Sequence, residues 1–179
     1  MADEPQAAPP PPEPEPLPDW VLSVQEAVPD GIRAVLGVPG GAGPADMPTF
    51  DVAPERWVEA VGALKAGGCD LFVDLGAADH PDRAERFEVV LHLRDVSAGR
   101  LLRCRTAVTE ATTLPSLEPL FPAAGWPERE VFDLFGLRFE GNQDMRRLLL
   151  PDDWAGHPLR KDSPLTGPRA LDPDSPYAH

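Results

Sequence analysis

The stretch RFEVVLHLRDVSAGRLLRCRTAV, residues 86–108, contains the clearest β-strand signal of the chain. Apolar and polar residues alternate along residues 86–95 and again along residues 99–108, as they do in strands with two different faces. One face carries Phe87, Val89, Leu91, Leu93, Leu102, Cys104 and Thr106. The connecting residues, DVSAG, suit a hairpin turn, so we expect two neighbouring antiparallel strands here.

The region upstream of this hairpin begins with a short helix signal. Asp19 is an N-cap candidate for a helix through Val28, with apolar residues along one side. Short strands are expected at residues 32–38 and 49–52. The glycine-rich segment between them lacks the Gly-Lys-Ser/Thr of a phosphate-binding P-loop, so we interpret it as a plain loop.

A second helix and a further strand precede the hairpin. Pro54 suits a first helical turn, and Gly67-Gly68 suits the helix end. Apolar residues recur between them at helical spacing: Trp57, Val58, Val61 and Leu64. Residues 69–75, CDLFVDL, are mostly apolar, which predicts a strand covered on both faces.

Helical signals return downstream of the hairpin. Ser116 is an N-cap candidate for a helix that Pro122 limits to about two turns. Pro127 then suits the first position of a helix that Gly136 would end. The four large apolar residues of this helix point to more than one side, so we expect it to be covered on more than one face.

This order of elements predicts an α+β fold, in which helices pack on a small mixed β-sheet and an extended C-terminal arm follows. Residues 1–18 contain eight prolines and four acidic residues, a composition typical of a disordered tail. Residues 19–150 are assigned to the α+β domain. Residues 151–179, with six prolines, are assigned to an arm that docks on a partner.

Net charge and hydropathy exclude several classes of partner. The formal net charge of −14 argues against binding to nucleic acid and against electrostatic attraction to anionic lipid. No apolar run approaches the roughly 20 residues that a membrane span requires. The N-terminus lacks the basic and apolar regions of a signal peptide, so we expect a cytoplasmic protein.

No catalytic, cofactor-binding or metal site can be recognised in the sequence. The four histidines are far apart, and none lies at a known metal-ligand spacing from a cysteine or carboxylate. Cys69 and Cys104 lie 35 residues apart, and we interpret them as small buried residues. Two cysteines are also too few for an iron–sulfur cluster within this chain alone.

Residues 126–164 combine dense charge with an apolar run. Arg129 and Asp133 are spaced i, i+4, so a pair along the helix surface is expected. The leucines at 148–150 lead into the proline-rich arm. Burial against a partner and burial in this domain's own core explain them equally well.

The segment GWPEREVFDLFGLRFEGNQDMRRLLLPDDWAGHPLRKDSPL, residues 125–165, resembles the signature of the 30 kDa subunit, also called the C-type subunit, of respiratory complex I. That signature contains Glu-Arg-Glu, Asp-hydrophobic-aromatic-Gly, Asp-hydrophobic-Arg-Arg and Pro-Leu-Arg-Lys-Asp blocks. The motif and interface candidates that it carries over are Glu128, Arg129, Glu130, Asp133, Gly136, Asp144, Arg146, Arg147, Arg160, Lys161 and Asp162.

One dipeptide departs from the family pattern. The family usually has His-Pro where this chain has Asn142-Gln143. The change frees one backbone dihedral and replaces an imidazole with a different hydrogen-bonding group. Such a departure is also what a divergent paralogue in a second or related complex would show.

The resemblance implies a subunit without a redox centre in the peripheral arm of a proton-translocating NADH:quinone oxidoreductase. It would connect the quinone-site (D-type) subunit with the terminal iron–sulfur (B-type) subunit at the cytoplasmic face of the cell membrane. FMN, iron–sulfur clusters, NADH and quinone would be used by the complex, and none would be bound by this chain. Arg146, Arg147, Arg160 and Lys161 would be its charged contacts to the neighbour.

Two other functions remain open at this point. One is the equivalent subunit of a membrane-bound hydrogenase or ferredoxin-linked complex, which shares this architecture. The other is a free-standing acidic binding module that has kept the fold. The electron-input subunits that co-purify with the chain would distinguish the first alternative, and a soluble monomer would indicate the second.

Overall fold

The computed structural model describes residues 19–36 and 47–164. The helices of these ranges are α1 (Asp19–Ala27), α2 (Trp57–Ala66) and α3 (Gly125–Phe135), with 3₁₀ turns at Pro54–Arg56 and Pro122–Ala124. The strands are β1 (Ile32–Leu36), β2 (Pro48–Val52), β3 (Leu71–Asp79), β4 (Phe87–Asp95), β5 (Arg100–Val108), β6 (Thr113–Pro115) and β7 (Arg138–Glu140). The predicted loop at 37–46 and the tails at 1–18 and 165–179 lie outside the described residues.

Five strands form one mixed sheet in the order β1-β2-β5-β4-β3. The β4–β5 pair is antiparallel from Phe87↔Val108 to Asp95↔Arg100, which confirms the predicted hairpin. The β2–β5 pair is parallel, and it makes the sheet mixed. Strands β6 and β7 form a separate parallel pair. Helices and a mixed sheet together confirm the α+β class.

Apolar burial positions α2 and the central strands. Trp57, Val61 and Leu64 of α2 are fully buried, as the helical spacing predicts. The alternating residues of β4 are fully buried on one face, while its other face is half-buried or exposed. These side chains belong to one continuous core that also includes Phe50. Burial of each such side chain contributes about 1.5–3 kcal/mol to folding.

The prediction of a strand covered on both faces at 69–75 is wrong for the described chain. The strand runs from Leu71 to Asp79 and lies at the edge of the sheet, where β4 is its only strand neighbour among the described residues. Leu71 is 45% exposed and Val73 is 48% exposed. The register shifts between Phe72 and Asp74, so a bulge also turns this part of the edge away from regular pairing.

Two expectations on the C-terminal helices need correction. The two-turn helix predicted after Ser116 is not formed: residues 117–120 form a turn, in which the Leu120 and Phe121 N–H groups both donate to the Leu117 carbonyl. Helix α3 begins at Gly125, two residues before Pro127. Proline is tolerated there because the first-turn N–H groups have no partner within the helix. Gly136 ends α3 as predicted, with φ of 79°.

Candidate functional site

Helix α3 carries two carboxylates that are fully buried, and Glu128 is the first of them. One carboxylate oxygen accepts the Ser116 hydroxyl at 2.7 Å and the Asn142 side-chain amide at 2.9 Å. The other oxygen accepts the backbone N–H of Leu117 at 2.7 Å. Burial raises the pKa of Glu128 above its ordinary value, against the opposing effect of these three hydrogen bonds. Glu128 therefore fixes two loops to the N-terminal half of α3.

Asn142, the residue that departs from the family pattern, is part of this arrangement. Its amide group also donates to the Gly125 carbonyl at 3.1 Å, and its side-chain oxygen accepts the backbone N–H of Asp144 at 3.0 Å. The side chain thus supplies both a donor to Glu128 and an acceptor to the following turn. This chain has no imidazole at position 142, but the Asn142 amide still supplies a hydrogen-bond donor to the buried Glu128 carboxylate.

Asp133 is the second buried carboxylate of α3. One of its oxygens accepts the three consecutive backbone N–H groups of residues 148–150, at 2.8 to 3.0 Å. The other forms an ion pair of 2.7 Å with Arg147. Burial raises the pKa of Asp133, but the three N–H donors and Arg147 outweigh burial, so the pKa lies below its ordinary value. The expected pair between Arg129 and Asp133 is not formed.

The leucines at 148–150 therefore contribute mainly through their backbone. Leu149 is 61% exposed, whereas Leu148 and Leu150 are half-buried. The three leucine side chains are therefore neither fully buried in the domain core nor all available to a partner. Their N–H groups converge on Asp133, which explains why this apolar run turns sharply beneath α3.

The residues from 142 to 164, here called the strap, also cover the C-terminal end of α3. His157 Nδ1 lies 2.9 Å from the Asp133 carbonyl, and the Leu159 N–H donates to the Leu134 carbonyl at 3.1 Å. Arg160 Nε donates to the Phe135 carbonyl at 2.6 Å. Three carbonyls at the helix end thus obtain partners, and a cation lies at the negative end of the helix dipole.

Gly136 allows this close approach. A Cβ atom there would lie 2.5 Å from Arg160 Nη2 and 2.6 Å from the His157 ring. Its positive φ is a second reason why glycine is favoured. Gly136 therefore serves both the helix end and the seat of the strap.

The strap is fastened to the sheet as well. Asp79, at the end of β3, is buried and accepts both Arg86 Nε and Arg86 Nη2 at 2.7 Å. The same carboxylate accepts the backbone N–H of Lys161 at 2.7 Å, and Arg86 reaches Asp162 at 2.9 Å. The hydrogen bonds from Arg86 are the main reason why the pKa of Asp79 is lowered to about 2.

The remaining motif residues lie nearer the surface. Arg129 pairs with Asp144 at 3.2 Å and donates to the Arg147 carbonyl at 3.0 Å. Arg146 also pairs with Asp144, but its side chain is 78% exposed. Glu130 is exposed on α3. Charge at Arg146 and Glu130 thus remains accessible from outside the domain.

The sequence-predicted candidates divide into two groups in the structure. Most contact one another or the strap, and only Arg146, Glu130, the Lys161 side chain and Asp162 remain largely exposed. The assignment of Arg147 and Arg160 as partner contacts stays a prediction, but both guanidinium groups already have partners within this chain. Their side chains are only 16% and 15% exposed, because they bind this domain's own carbonyls and carboxylates.

Sequence reasoning missed four members of this network: Ser116 as a donor, Asp79, Arg86 and His157. The sequence offered one usable signal, an aspartate at the end of a mostly apolar strand with an arginine seven residues later. It did not identify Lys161 as the second partner, since 82 residues separate Lys161 from Asp79.

Metal-ligand groups, thiols and membrane-length helices were each sought within the described residues. Within residues 19–36 and 47–164, no group of three His, Cys, Asp or Glu side chains is placed to hold a metal ion. Cys69 and Cys104 are buried free thiols, as predicted, and burial raises the pKa of Cys69 to about 11. None of the helices in these ranges has the length and apolarity needed to cross a membrane.

These features define a class of α+β domain in which buried carboxylates hold a C-terminal strap against a helix and a sheet edge. Residues 50–169 match the family described as "Respiratory-chain NADH dehydrogenase, 30 Kd subunit". The chain belongs to this family, which confirms the resemblance seen in the sequence.

The similar proteins carry names that agree with this family. The C-type subunit of the NADH-quinone oxidoreductase of Methylobacterium sp. (strain 4-46) is 45% identical over 125 residues, which span 68% of this chain and 58% of that protein. The same subunit of Rhodopseudomonas palustris (strain TIE-1) is 50% identical over 96 residues, 54% of this chain and 47% of that protein. The chain thus spans about half to three-fifths of the length of these relatives.

Two solved structures share the fold. A trypsin-resistant fragment (1–134) of Nqo5 has a TM-score of 0.59 and 30% identity, covering 70% of this chain and 97% of the fragment. A chain of the membrane-bound sulfane sulfur reductase, an archaeal respiratory membrane complex, has a TM-score of 0.70 and 25% identity. It covers 82% of this chain and 85% of that chain.

Proposed function

We propose that this protein is a structural subunit, without a redox centre of its own, in the peripheral arm of a proton-translocating NADH:quinone oxidoreductase. The observation that carries the proposal is the strap, which Asp133, Asp79 and the end of α3 fasten along its length. A strap held in this way presents a fixed surface, so binding a neighbour costs less ordering entropy than binding by a loose arm.

The neighbours in this proposal are the quinone-site (D-type) and terminal iron–sulfur (B-type) subunits. FMN, iron–sulfur clusters, NADH and quinone belong to the assembly, and electrons pass through the neighbours. The role of this chain is to hold those neighbours at fixed separations, on which electron transfer and quinone docking depend. The complex, and this subunit with it, lies at the cytoplasmic face of the cell membrane as a peripheral component.

Purification of the tagged full-length chain from its native membranes tests this proposal. We expect co-purification of flavin-, iron–sulfur- and quinone-site subunits in constant ratio. Recovery of the chain alone as a soluble monomer would contradict the proposal and favour a free-standing acidic binding module.

Substitution of two neighbouring arginines tests whether this chain contributes to assembly or to catalysis. We predict that Arg146→Ala with Arg147→Ala lowers the yield of assembled complex more than it lowers turnover per assembled complex. The single variants divide the effect, because Arg147 holds residues 148–156 through Asp133 and two strap carbonyls, whereas Arg146 is exposed. Normal assembly with abolished turnover would instead indicate a direct role near the quinone site.

A second candidate is the equivalent subunit of a membrane complex that does not accept electrons from NADH. The similarity to a chain of the archaeal sulfane sulfur reductase complex favours it, since 82% of this chain is covered. The co-purifying electron-input subunits distinguish the two candidates. Flavin and NADH sites indicate the first, and ferredoxin-linked or hydrogenase-type subunits indicate the second.

A further inference from the structure

The outer edge of β3 has no hydrogen-bonded strand partner within the described residues, although α3 lies near it. β4 is its only strand neighbour, and residues 71–79 make no backbone hydrogen bond to any other segment within the described ranges. An unpaired strand edge is a template for pairing with another polypeptide. The bulge between Phe72 and Asp74 and the Lys161 contact at Asp79 leave residues 74–78 as the stretch available for pairing.

A groove runs between this edge and α3. It has a volume of about 200 Å³ and is lined by Asp74 and Gly76 of β3, Glu130 and Leu134 of α3, and Leu159 of the strap. Leu159 is 50% exposed. A Cβ atom added at Gly76 would meet no other atom within 4 Å, so there is open space over that face of β3 beside the edge. The groove thus combines an apolar wall with a strand edge that has no backbone partner within the described residues.

The two charged side chains that line this groove are both acidic. Asp74 and Glu130 line it, and neither forms an ion pair within the described residues. The whole chain has a formal charge of −14. Complementary charge favours an occupant that places a cation between the two carboxylates.

We propose that an extended segment of another subunit binds in this groove as an added strand beside residues 74–78 of β3. Its large apolar side chains would contact Leu134 and Leu159, and a lysine or arginine would lie between Asp74 and Glu130. A second copy of this chain fits less well, since a symmetric contact would bring two acidic grooves together. The proposal rests on the proposed function and names the surface and chemistry of one contact with a neighbour.

Photo-crosslinking from the strap tests the contact directly. In the full-length tagged chain, Leu159 is replaced by p-benzoylphenylalanine, with the same replacement of Leu149 as the control. Both leucines are exposed and lie on the strap, but only Leu159 lines the groove. From position 159 we expect a crosslink to one peptide of a co-purifying subunit, and this peptide should contain apolar residues and a lysine or arginine. The same crosslink should not form from position 149.

Several outcomes would overturn the contact. These are an assembly that purifies intact without a crosslink from position 159, or a crosslink to lipid, to a second copy, or to this chain's own residues 165–179. Purification of the chain without other subunits is a separate result. It contradicts the proposed function rather than the assignment of the groove.

Reversal of one charge gives a second test. We expect Glu130→Lys to lower the fraction of the chain recovered in the assembly about tenfold, because it places a cation where the partner's cation would lie. Glu85→Lys is the matched control, since Glu85 is exposed and does not line the groove. Both isolated variants should melt at the wild-type temperature. Equal recovery of the two variants would refute the charge contact.

Discussion

Helices α2 and α3 have nearly equal lengths, 10 and 11 residues, but different interactions hold them in place. The inward face of α2 is apolar, and its Trp57, Val61 and Leu64 side chains are fully buried. The inward face of α3 includes Glu128 and Asp133, which are also fully buried and bind loops distant in sequence. The contrast indicates that α2 stabilises the core, whereas α3 chiefly positions the segments that follow it.

The largest expected effect tests the apolar side of this comparison. Trp57→Ala should lower the free energy of unfolding by about 3–5 kcal/mol, because it leaves a cavity under α2. Urea denaturation measures the loss. Hydrogen exchange should show reduced protection across the whole domain, and a loss confined to α2 would contradict a single cooperative core.

Asp133→Asn tests the buried carboxylates of α3. We expect it to lower the free energy of unfolding by about 3 kcal/mol. The amide can no longer accept all four donors, and Arg147 keeps a half-buried charge without its partner. Hydrogen exchange should increase first at residues 148–160. Asp152→Asn, at an exposed strap position, is the control and should change stability little. Equal effects of the two variants would refute the anchoring role.

The contribution of Asp79 to the free energy of unfolding depends on pH. Its folded-state pKa of about 2 lies below its ordinary value of 3.8, so its stabilising contribution is complete above about pH 4 and is lost towards pH 2. Asp79→Asn should cost about 2–3 kcal/mol at neutral pH, since hydrogen bonds to a charged group are lost. Urea denaturation from pH 6 to pH 2 should show the difference between wild type and variant shrinking with acidification. A constant difference would contradict the assignment.

The smallest effect is expected at two glycines with positive φ. Gly136→Ala should cost about 2 kcal/mol, from backbone strain together with the clash against His157 and Arg160. Gly99→Ala should cost about 1 kcal/mol, since its Cβ atom would meet nothing within 4 Å. Thermal unfolding measures both, and limited proteolysis should cleave the strap faster only in the Gly136 variant. Equal costs would mean that the strap does not contact the helix end closely.

Much of the fold could be predicted because its signals are local. The alternation in β4 and β5, the apolar stripe of α2 and the stop at Gly136 each occur within about ten residues of sequence. The incorrect predictions concern contacts between residues that are distant in sequence. Arg129 and Asp133 have a spacing that favours a mutual pair, yet each has a better-placed partner from the strap. The apolar residues 69–75 indicate a covered strand, and the pattern gives no information about which chain covers it.

The sequence by itself determined the family, through its motif blocks, and also the α+β class, the hairpin, helix α2 and the end of helix α3. The hairpin and the helices depend on apolar periodicity and glycine conformation, which are properties of neighbouring residues. Only the tertiary structure decided that Glu128, Asp133 and Asp79 bind the strap, and that one edge of β3 has no strand partner within residues 19–36 and 47–164. Hydrogen bonds need donors and acceptors within about 3 Å in the right direction. For segments up to 82 residues apart, that geometry is set by the folded chain rather than by local pattern.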